Sequence, residues 1–279
     1  MRSGFLRGRD HLELGAVGAI AEGSAAIAIS RGGARKTYSY VDPNEDGAVF
    51  AIGEGGILVA VADGHDGAWG SERALEHLLV DCAPTWTAAA APFGSPDAWR
   101  EIALDALLSA NVAILADAAE RKLPTGPTTL SLALLRPGDD LLLHACMGDS
   151  HVFRAVSGGG AVHIEDLGWG HRDKRQTFFL GYGQENRERL EGKSRVGCIR
   201  LAQTRAVVLV TDGLSEKGIG VTDPAAAVEA EVVGVGTGET DPELRPLELC
   251  KAVVGVALDA QRANQAGDNA ACAVVWVED

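Results

Sequence analysis

Short runs of apolar residues, separated by turns rich in Gly, Asp and Pro, make up much of this chain. Runs of this length between turn residues are typical of β-strands. The pattern predicts strands over residues 23–30, 38–41, 47–52, 57–62, 128–135, 141–147, 151–156, 196–201, 206–211 and 270–277. The Gly-rich segment 53–56 predicts a hairpin between two of these strands.

Helices are predicted where apolar residues recur every three or four positions. This spacing runs from Ala68 to Cys82 and from Pro96 to Lys122, and two later helices are predicted over residues 224–233 and 242–265. The order is therefore strands, two helices, strands, two helices and a last strand. Such segregation predicts the α+β class, with antiparallel sheets and helices packed outside them, rather than a βαβ alternation.

The length of 279 residues would allow two domains at roughly 150 residues each, but one domain of this size is also common. We expect a single domain over residues 1–279, with residues 1–22 as an N-terminal extension. The stretch 168–193 is polar and rich in Arg and Gly. It is too irregular for a core element and too long for a plain turn, so it predicts a surface flap.

Charge and cysteine content exclude several classes of partner and location. The chain has 25 Lys and Arg against 39 Asp and Glu, a net charge of −14 that repels nucleic acid and anionic membrane surfaces. No uninterrupted apolar stretch reaches the ~18 residues of a membrane span, so we expect no transmembrane helix. The five cysteines are an odd number without a C-x-x-C pair, which predicts reduced thiols and a cytoplasmic location.

Carboxylates repeatedly stand where an apolar strand ends or begins. Asp63 and Asp212 follow two predicted strands, and Asp268 lies just before the last one. Each Asp-Gly pair alone is more often only a turn. Together, however, charges gathered at buried sheet ends need compensation, and several carboxylates around one pocket would hold hard cations such as Mg²⁺ or Mn²⁺.

The residues at these positions resemble, in their order, the motifs of the metal-dependent protein phosphatases of type 2C. The resemblance extends from about residue 23 to the C-terminus and rests on Asn44-Glu45-Asp46, Val61-Ala62-Asp63-Gly64-His65-Asp66-Gly67, Thr128-Thr129, Met147-Gly148-Asp149-Ser150, Val210-Thr211-Asp212-Gly213-Leu214 and Gly267-Asp268-Asn269. It implies a four-layer α/β/β/α sandwich, in which helix pairs flank two antiparallel sheets. It also implies the hydrolysis of phosphoserine and phosphothreonine in proteins.

The resemblance further implies a site for two Mg²⁺ or Mn²⁺ ions. Asp63 would bridge the two ions, Asp212 and Asp268 would complete one, and Glu45 with the Gly64 carbonyl would bind the other. Asp46 would lie in the coordination shell of these ions, directly or through water. Some members bind a third, weaker ion, for which the matching positions here are Asp149 and Glu216.

This chemistry needs no protein nucleophile, because two metals about 3.5–4 Å apart can lower the pKa of a bridging water and neutralise the phosphoryl oxygens. His65 follows the bridging ligand Asp63 by two positions. We expect it to protonate the leaving seryl or threonyl oxygen as a general acid. The alternative is an exposed turn histidine.

One family position departs from the pattern. The family usually has an Arg four residues before the Glu of the first motif, where this chain has Val41. We expect Arg35 to substitute as a ligand of the substrate phosphate, the alternative being a solvated basic turn. Arg172 and Arg175 in the expected flap form a basic island suited to a phosphorylated segment, or else a solvated loop.

Three functions remain open on the sequence. The first is a Mg²⁺- or Mn²⁺-dependent serine/threonine protein phosphatase acting on the products of a serine/threonine kinase. The second is a regulatory or binding module that keeps the fold and has lost activity, which the missing Arg favours and the retained carboxylates disfavour. The third is a hydrolase of small phosphate esters.

Overall fold

Two antiparallel sheets lie face to face in the computed structural model, which describes residues 1–91, 93, 95–158, 161–168, 178–238 and 240–277. The strands are β1 Arg2–Arg7, β2 Gly18–Glu22, β3 Ala25–Ser30, β4 Gly47–Ile52, β5 Ile57–Ala62, β6 Leu130–Arg136, β7 Leu141–Met147, β8 His151–Gly158, β9 Ala161–Asp166, β10 Ser194–Arg200, β11 Thr204–Val210 and β12 Ala270–Trp276. The first sheet has the order β1-β4-β5-β6-β7-β10 and the second β2-β3-β12-β11-β8-β9.

Helices cover the outer face of each sheet. They are α1 Trp69–His77, α2 Ala83–Trp86, α3 Pro96–Arg121, α4 Arg187–Lys193, α5 Pro224–Thr237 and α6 Arg245–Asn264. The first four pack on the first sheet, and α5 and α6 pack on the second. The predicted α+β class and the four-layer α/β/β/α sandwich are therefore confirmed.

The core has three apolar layers because successive side chains of a strand point to opposite faces. In β12, Ala271, Ala273 and Val275 pack between the sheets, whereas Cys272 and Val274 pack under α5 and α6. All of these positions are buried. Both faces of the central strands are thus covered, which explains why their sequences are nearly continuous apolar runs.

Helix α3 is long and apolar enough to cross a membrane by length and composition alone, a test that a core helix also passes. It starts at the N-cap Ser95, whose hydroxyl accepts a hydrogen bond from the Ala98 amide. Trp99, Leu107 and Ile114 are fully buried on one face, within the cluster on the first sheet. In this structure α3 is a helix of the outer layer of the sandwich.

Several elements differ from the sequence prediction. Residues 1–22 are not an extension, since β1 is an edge strand of the first sheet and β2 of the second. Residues 38–41 form no strand but belong to the loop before β4. Within the expected flap, residues 187–193 form α4, which Asn186 caps, and residues 169–177 lie outside the described part. Strands β1 and β2 are short, and Arg, Ser, Gly or Glu interrupt their apolar residues, so their pattern is weak.

Candidate functional site

The acidic strand ends meet at one end of the sandwich. In an antiparallel pair the end of one strand lies beside the start of the next, so Asp63 after β5 lies beside the start of β4, and Asp212 after β11 beside the start of β12. They surround a cavity of about 520 Å³ lined by Lys36, Tyr38, Ser39, Glu45, Asp63, Gly64, His65, Asp66, Asp149, Phe179, Tyr182, Asp212, Glu216, Ile219 and Asp268.

Asp63, Asp149 and Asp212 form a close group of carboxylates. One oxygen of each lies within 4.8 Å of the others. Burial raises the pKa of Asp63 and of Asp212, and the charges of neighbouring aspartates raise both pKa values further. Asp149, which the resemblance linked to a third ion, therefore lies in the same group as the expected bridging ligand Asp63.

Threonine hydroxyls hold the backbone of Asp63 and the carboxyl of Asp46 in place. Thr129 Oγ1 accepts a hydrogen bond of 2.9 Å from the Asp63 amide, and Thr128 Oγ1 donates one of 2.9 Å to the Asp63 carbonyl. Thr211 Oγ1 donates a hydrogen bond of 2.7 Å to Asp46 Oδ2. Burial and the charge of Asp268 nevertheless raise the pKa of Asp46 to about 7. The carboxyl of Asp46 is fixed, but its negative charge is poorly compensated.

The carboxylate of Glu45 is held by backbone amides. Its Oε1 accepts hydrogen bonds from the amides of Val41 at 3.2 Å, Asp42 at 3.3 Å and Gly67 at 2.7 Å. The Gly64 amide approaches the Glu45 carbonyl at 3.2 Å, and a Cβ at Gly64 would lie 2.5 Å from that oxygen. A glycine is therefore required where the chain after β5 passes the chain before β4.

Lys36 and Tyr38 reach the site from the loop between β3 and β4. Lys36 Nζ lies 3.3 Å from Glu45 Oε2 and 3.5 Å from Asp268 Oδ1, and the Tyr38 hydroxyl donates a hydrogen bond to Asp268 Oδ1. Burial lowers the pKa of Lys36, but the surrounding carboxylates, Asp268 foremost, outweigh burial and raise it. Burial and Asp268 also raise the pKa of Tyr38.

The expected phosphate ligand Arg35 lies elsewhere. Its side chain is exposed and does not line the cavity, whereas the neighbouring Lys36 points into it. The sequence offered no periodic signal to choose between these two adjacent cations. Val41 is exposed and supplies only its amide. Arg172 and Arg175 lie outside the described residues, and their role stays a prediction.

His65 lies at the rim of the cavity. Its Nδ1 is 3.9 Å from Asp63 Oδ2, and that nitrogen is buried without a hydrogen-bond partner among the described residues. The imidazole meets the Phe179 ring edge to face, with centroids 4.4 Å apart, and Phe179 contacts Tyr182 in the same way. This packing orients the imidazole toward the carboxylates while 43% of the His65 side chain stays exposed.

Hydrogen bonds through His151 support the turn that carries Asp212 and Glu216. Nδ1 of the buried His151 lies 3.1 Å from Asp166 Oδ2, and its Nε2 lies 2.8 Å from Ser215 Oγ. The Ser215 and Glu216 amides both donate to the Asp212 carbonyl. This arrangement cannot be predicted from the sequence, because Asp166, His151 and Ser215 come from separate segments and no spacing links them.

The sequence was compared with models of known protein families and with known proteins. A family model described as "Protein phosphatase 2C" matches residues 19–235, which is more than half of the chain. A search of curated proteins by sequence finds no match.

Solved structures with the same fold include a serine-threonine phosphatase 2C from Toxoplasma gondii, with a TM-score of 0.66, 17% identity and coverage of 94% of this chain and 99% of that one. The serine/threonine phosphatase Stp1 from Staphylococcus aureus has a TM-score of 0.64, 17% identity and coverage of 96% and 98%. The PPM Ser-Thr phosphatase MsPP from Mycobacterium smegmatis, in complex with cacodylate, has a TM-score of 0.58, 22% identity and coverage of 91% and 98%.

Proposed function

Because the chain belongs to the protein phosphatase 2C family of serine/threonine phosphatases, we propose that it hydrolyses phosphoserine and phosphothreonine in proteins and requires Mg²⁺ or Mn²⁺. The observation that carries the proposal is the convergence of Asp63, Asp149 and Asp212 within 4.8 Å at one end of the sandwich. A protein has little reason to bury repelling carboxylates together unless a cation joins them.

The donor set fits these ions. It consists of carboxylate oxygens with the Gly64 carbonyl nearby, and hard oxygen ligands are what Mg²⁺ and Mn²⁺ prefer. Asp63, Asp212 and Asp268 would hold one ion, and Glu45 with Asp63 the other. Asp46, Asp149 and Glu216 complete the acidic lining, and Asp149 with Glu216 would serve a third ion. When bound, the ions would activate water and neutralise the charge of the phosphoryl oxygens.

The chain's own residues supply position and protons. His65 stands at the rim beside Asp63, where its imidazole can donate a proton to the leaving seryl or threonyl oxygen. Thr129 holds the Asp63 backbone and Thr211 the Asp46 carboxylate, so hydrogen bonds of the fold position both residues. Phe179 and Tyr182 border the cavity, where the peptide that carries the phosphoryl group would lie.

The substrates we propose are phosphorylated proteins produced by a serine/threonine kinase. Arg172 and Arg175 remain candidates for contacts with the phosphorylated segment, and Arg35 could reach it only by leaving its exposed position. A cytoplasmic location is also part of the proposal, because the five thiols are free and four of them are buried.

A regulatory module without activity is the second candidate, and one observation favours it. The cavity lining in the described part of the chain contains Lys36 but no arginine, so the bidentate phosphate contact of an arginine is missing there. Such a module would bind a phosphorylated partner without releasing phosphate.

Phosphate release separates these functions. A phosphothreonine peptide and p-nitrophenyl phosphate would each be incubated with the protein in Mn²⁺ and in EDTA. We expect the wild-type protein to turn over both substrates in Mn²⁺ and neither in EDTA, and the Asp212→Asn variant to turn over neither. The control Asp259→Asn changes an aspartate that lies 79% exposed on α6 and should keep wild-type rates. Activity on p-nitrophenyl phosphate alone would favour a small phosphate ester, and no activity on either would favour the regulatory module.

A further inference from the structure

Lys36 has an unusual position for a lysine, since its side chain is only 5% exposed and its ammonium lies among carboxylates. Within the described residues its ion pairs are with Glu45 at 3.3 Å and Asp268 at 3.5 Å. A buried ammonium needs such partners to offset its lost hydration. The ammonium is thus a resident cation on one side of the acidic cavity.

The two oxygens of Glu45 have different partners. Oε1 accepts hydrogen bonds from the backbone amides of Val41, Asp42 and Gly67. These bonds within the fold use up its capacity to accept further hydrogen bonds or a metal ion. Oε2 accepts from the Lys36 ammonium. A metal ion approaching Glu45 would therefore have to use the oxygen that Lys36 holds.

The group of Asp63, Asp149 and Asp212 differs from Glu45 in its relation to Lys36. Their oxygens lie within 4.8 Å of each other, and no ion pair of Lys36 with any of the three is found in the described part of the chain. Asp268 Oδ1 accepts hydrogen bonds from the Tyr38 hydroxyl and the Asn269 amide, and it lies 3.5 Å from the Lys36 ammonium. Within the described residues, Lys36 therefore pairs with Glu45 and Asp268 on one side of the site, and with neither Asp63 nor Asp212.

We propose that Lys36 is a built-in counter-cation that makes the two metal positions unequal. A divalent ion binds first at Asp63 and Asp212, and a second ion binds beside Glu45 only when it displaces the Lys36 ammonium. The displacement is required because an ammonium and a divalent ion on the same carboxylate oxygen would lie a few ångströms apart and repel each other. The inference rests on the proposed metal site and adds the order and inequality of its loading.

Binding of Mn²⁺ alone, measured by calorimetry and by electron paramagnetic resonance of free Mn²⁺, tests the inference without turnover. Wild-type protein should show a tight step and a weaker one before the third position, at Asp149 and Glu216, is filled. In Lys36→Met the weaker step should tighten by about 10- to 100-fold, while the tight step changes much less. Lys36→Arg keeps the charge and should keep the weak second step.

Lys217→Met is the matched control. Lys217 is exposed next to Glu216 and makes no ion pair among the described residues, so its loss removes the same charge without freeing a carboxylate. This variant should bind Mn²⁺ as wild type does. Equal second-step affinity in Lys36→Met and wild type, or an equal gain in Lys217→Met, would overturn the inference. No Mn²⁺ binding in any variant would instead overturn the metal site and the proposed function with it.

A measurement on the wild-type chain covers the case in which Lys36→Met does not fold. Reductive methylation of lysines, mapped by mass spectrometry, reports how accessible each ammonium is. Lys36 should be methylated slowly without metal and during the first Mn²⁺ step, and faster once the second step is filled. Methylation of Lys36 that stays constant throughout the titration contradicts displacement, and Lys217 serves as the internal reference.

Discussion

Asn269 joins the two halves of the site, because its Oδ1 accepts a 2.9 Å hydrogen bond from the Glu45 amide. The same side chain donates to the carbonyls of Arg31 and Pro43, each at 3.0 Å. Asn269 is 1% exposed. The start of β12 and the start of β4, in different sheets, are thus held together by one amide side chain.

Asn269→Ala should lower the free energy of unfolding by about 2–4 kcal/mol, because it leaves one buried amide and two carbonyls without a partner. The measurement is urea unfolding without metal. The control Asn264→Ala also removes hydrogen bonds to two backbone carbonyls, but at an exposed position, and should cost less than about 1 kcal/mol. Equal losses in the two variants would contradict the linking role of Asn269.

Asp63→Asn and Asp212→Asn should each stabilise the metal-free protein while abolishing turnover. The pKa of both groups is raised by burial and by neighbouring carboxylates, so removing one charge at pH 8 relieves repulsion. We expect a gain of about 1–2 kcal/mol in EDTA by thermal or urea unfolding. Asp259→Asn should change neither property, and a loss of stability in both site variants would show that these carboxylates do not repel each other.

His65→Gln should lower kcat by an amount that depends on the leaving group of the substrate. A seryl or threonyl oxygen needs a proton as it leaves, whereas p-nitrophenolate does not. The variant should therefore lose about 10²- to 10⁴-fold in kcat on a phosphothreonine peptide and much less on p-nitrophenyl phosphate. Steady-state kinetics at saturating Mn²⁺ measures both rates. Equal losses on the two substrates would leave His65 a structural contact of Phe179 and not a general acid.

The pH dependence of stability should carry a contribution from His144 in β7. Burial, with the nearby Arg195, lowers the pKa of His144 to about 4. In the unfolded chain the pKa is about 6.5, so between these values the unfolded state binds a proton that the folded state does not. The contribution of His144 to the free energy of unfolding is therefore fully present above pH 6.5 and is lost as the pH falls toward 4.

Replacing His144 isolates this effect. The difference in unfolding free energy between wild type and His144→Gln should fall by about 2–3 kcal/mol from pH 7 to pH 4. Urea unfolding at a series of pH values measures it, and the exposed His163→Gln serves as the control with little pH dependence. A difference that is constant with pH would mean that the pKa of His144 is the same in the folded and the unfolded chain, which contradicts the prediction.

The sequence predicted the central elements because their residues face apolar layers on both sides. For β11 and β12 the apolar runs matched the strands to within about two residues, and α6 was expected at its observed place. The acidic positions Asp63 and Asp212 were recognisable because a charge directly after such a run is unusual. The architecture and the family followed from these features and are confirmed.

The parts that the sequence missed depend on contacts between distant segments. Tyr38 meets Asp268 across 230 positions, and nothing in residues 31–43 signals that contact. The apolar residues Tyr38 to Val41 instead suggested a strand, although the loop supplies hydroxyl, ammonium and amide donors to the site. The short strands β1 and β2 were missed because Arg, Ser, Gly or Glu interrupt their apolar residues and leave little pattern.

The carboxylates at the strand ends are expected to hold the divalent cations on which activity depends. Anomalous diffraction at the manganese edge, from crystals grown with Mn²⁺, locates these ions. We expect a peak at a coordination distance of about 2–2.3 Å from oxygens of Asp63 and Asp212, and a weaker second peak beside Glu45. Crystals equilibrated with saturating Mn²⁺ that show no peak among these carboxylates would rule out this metal site.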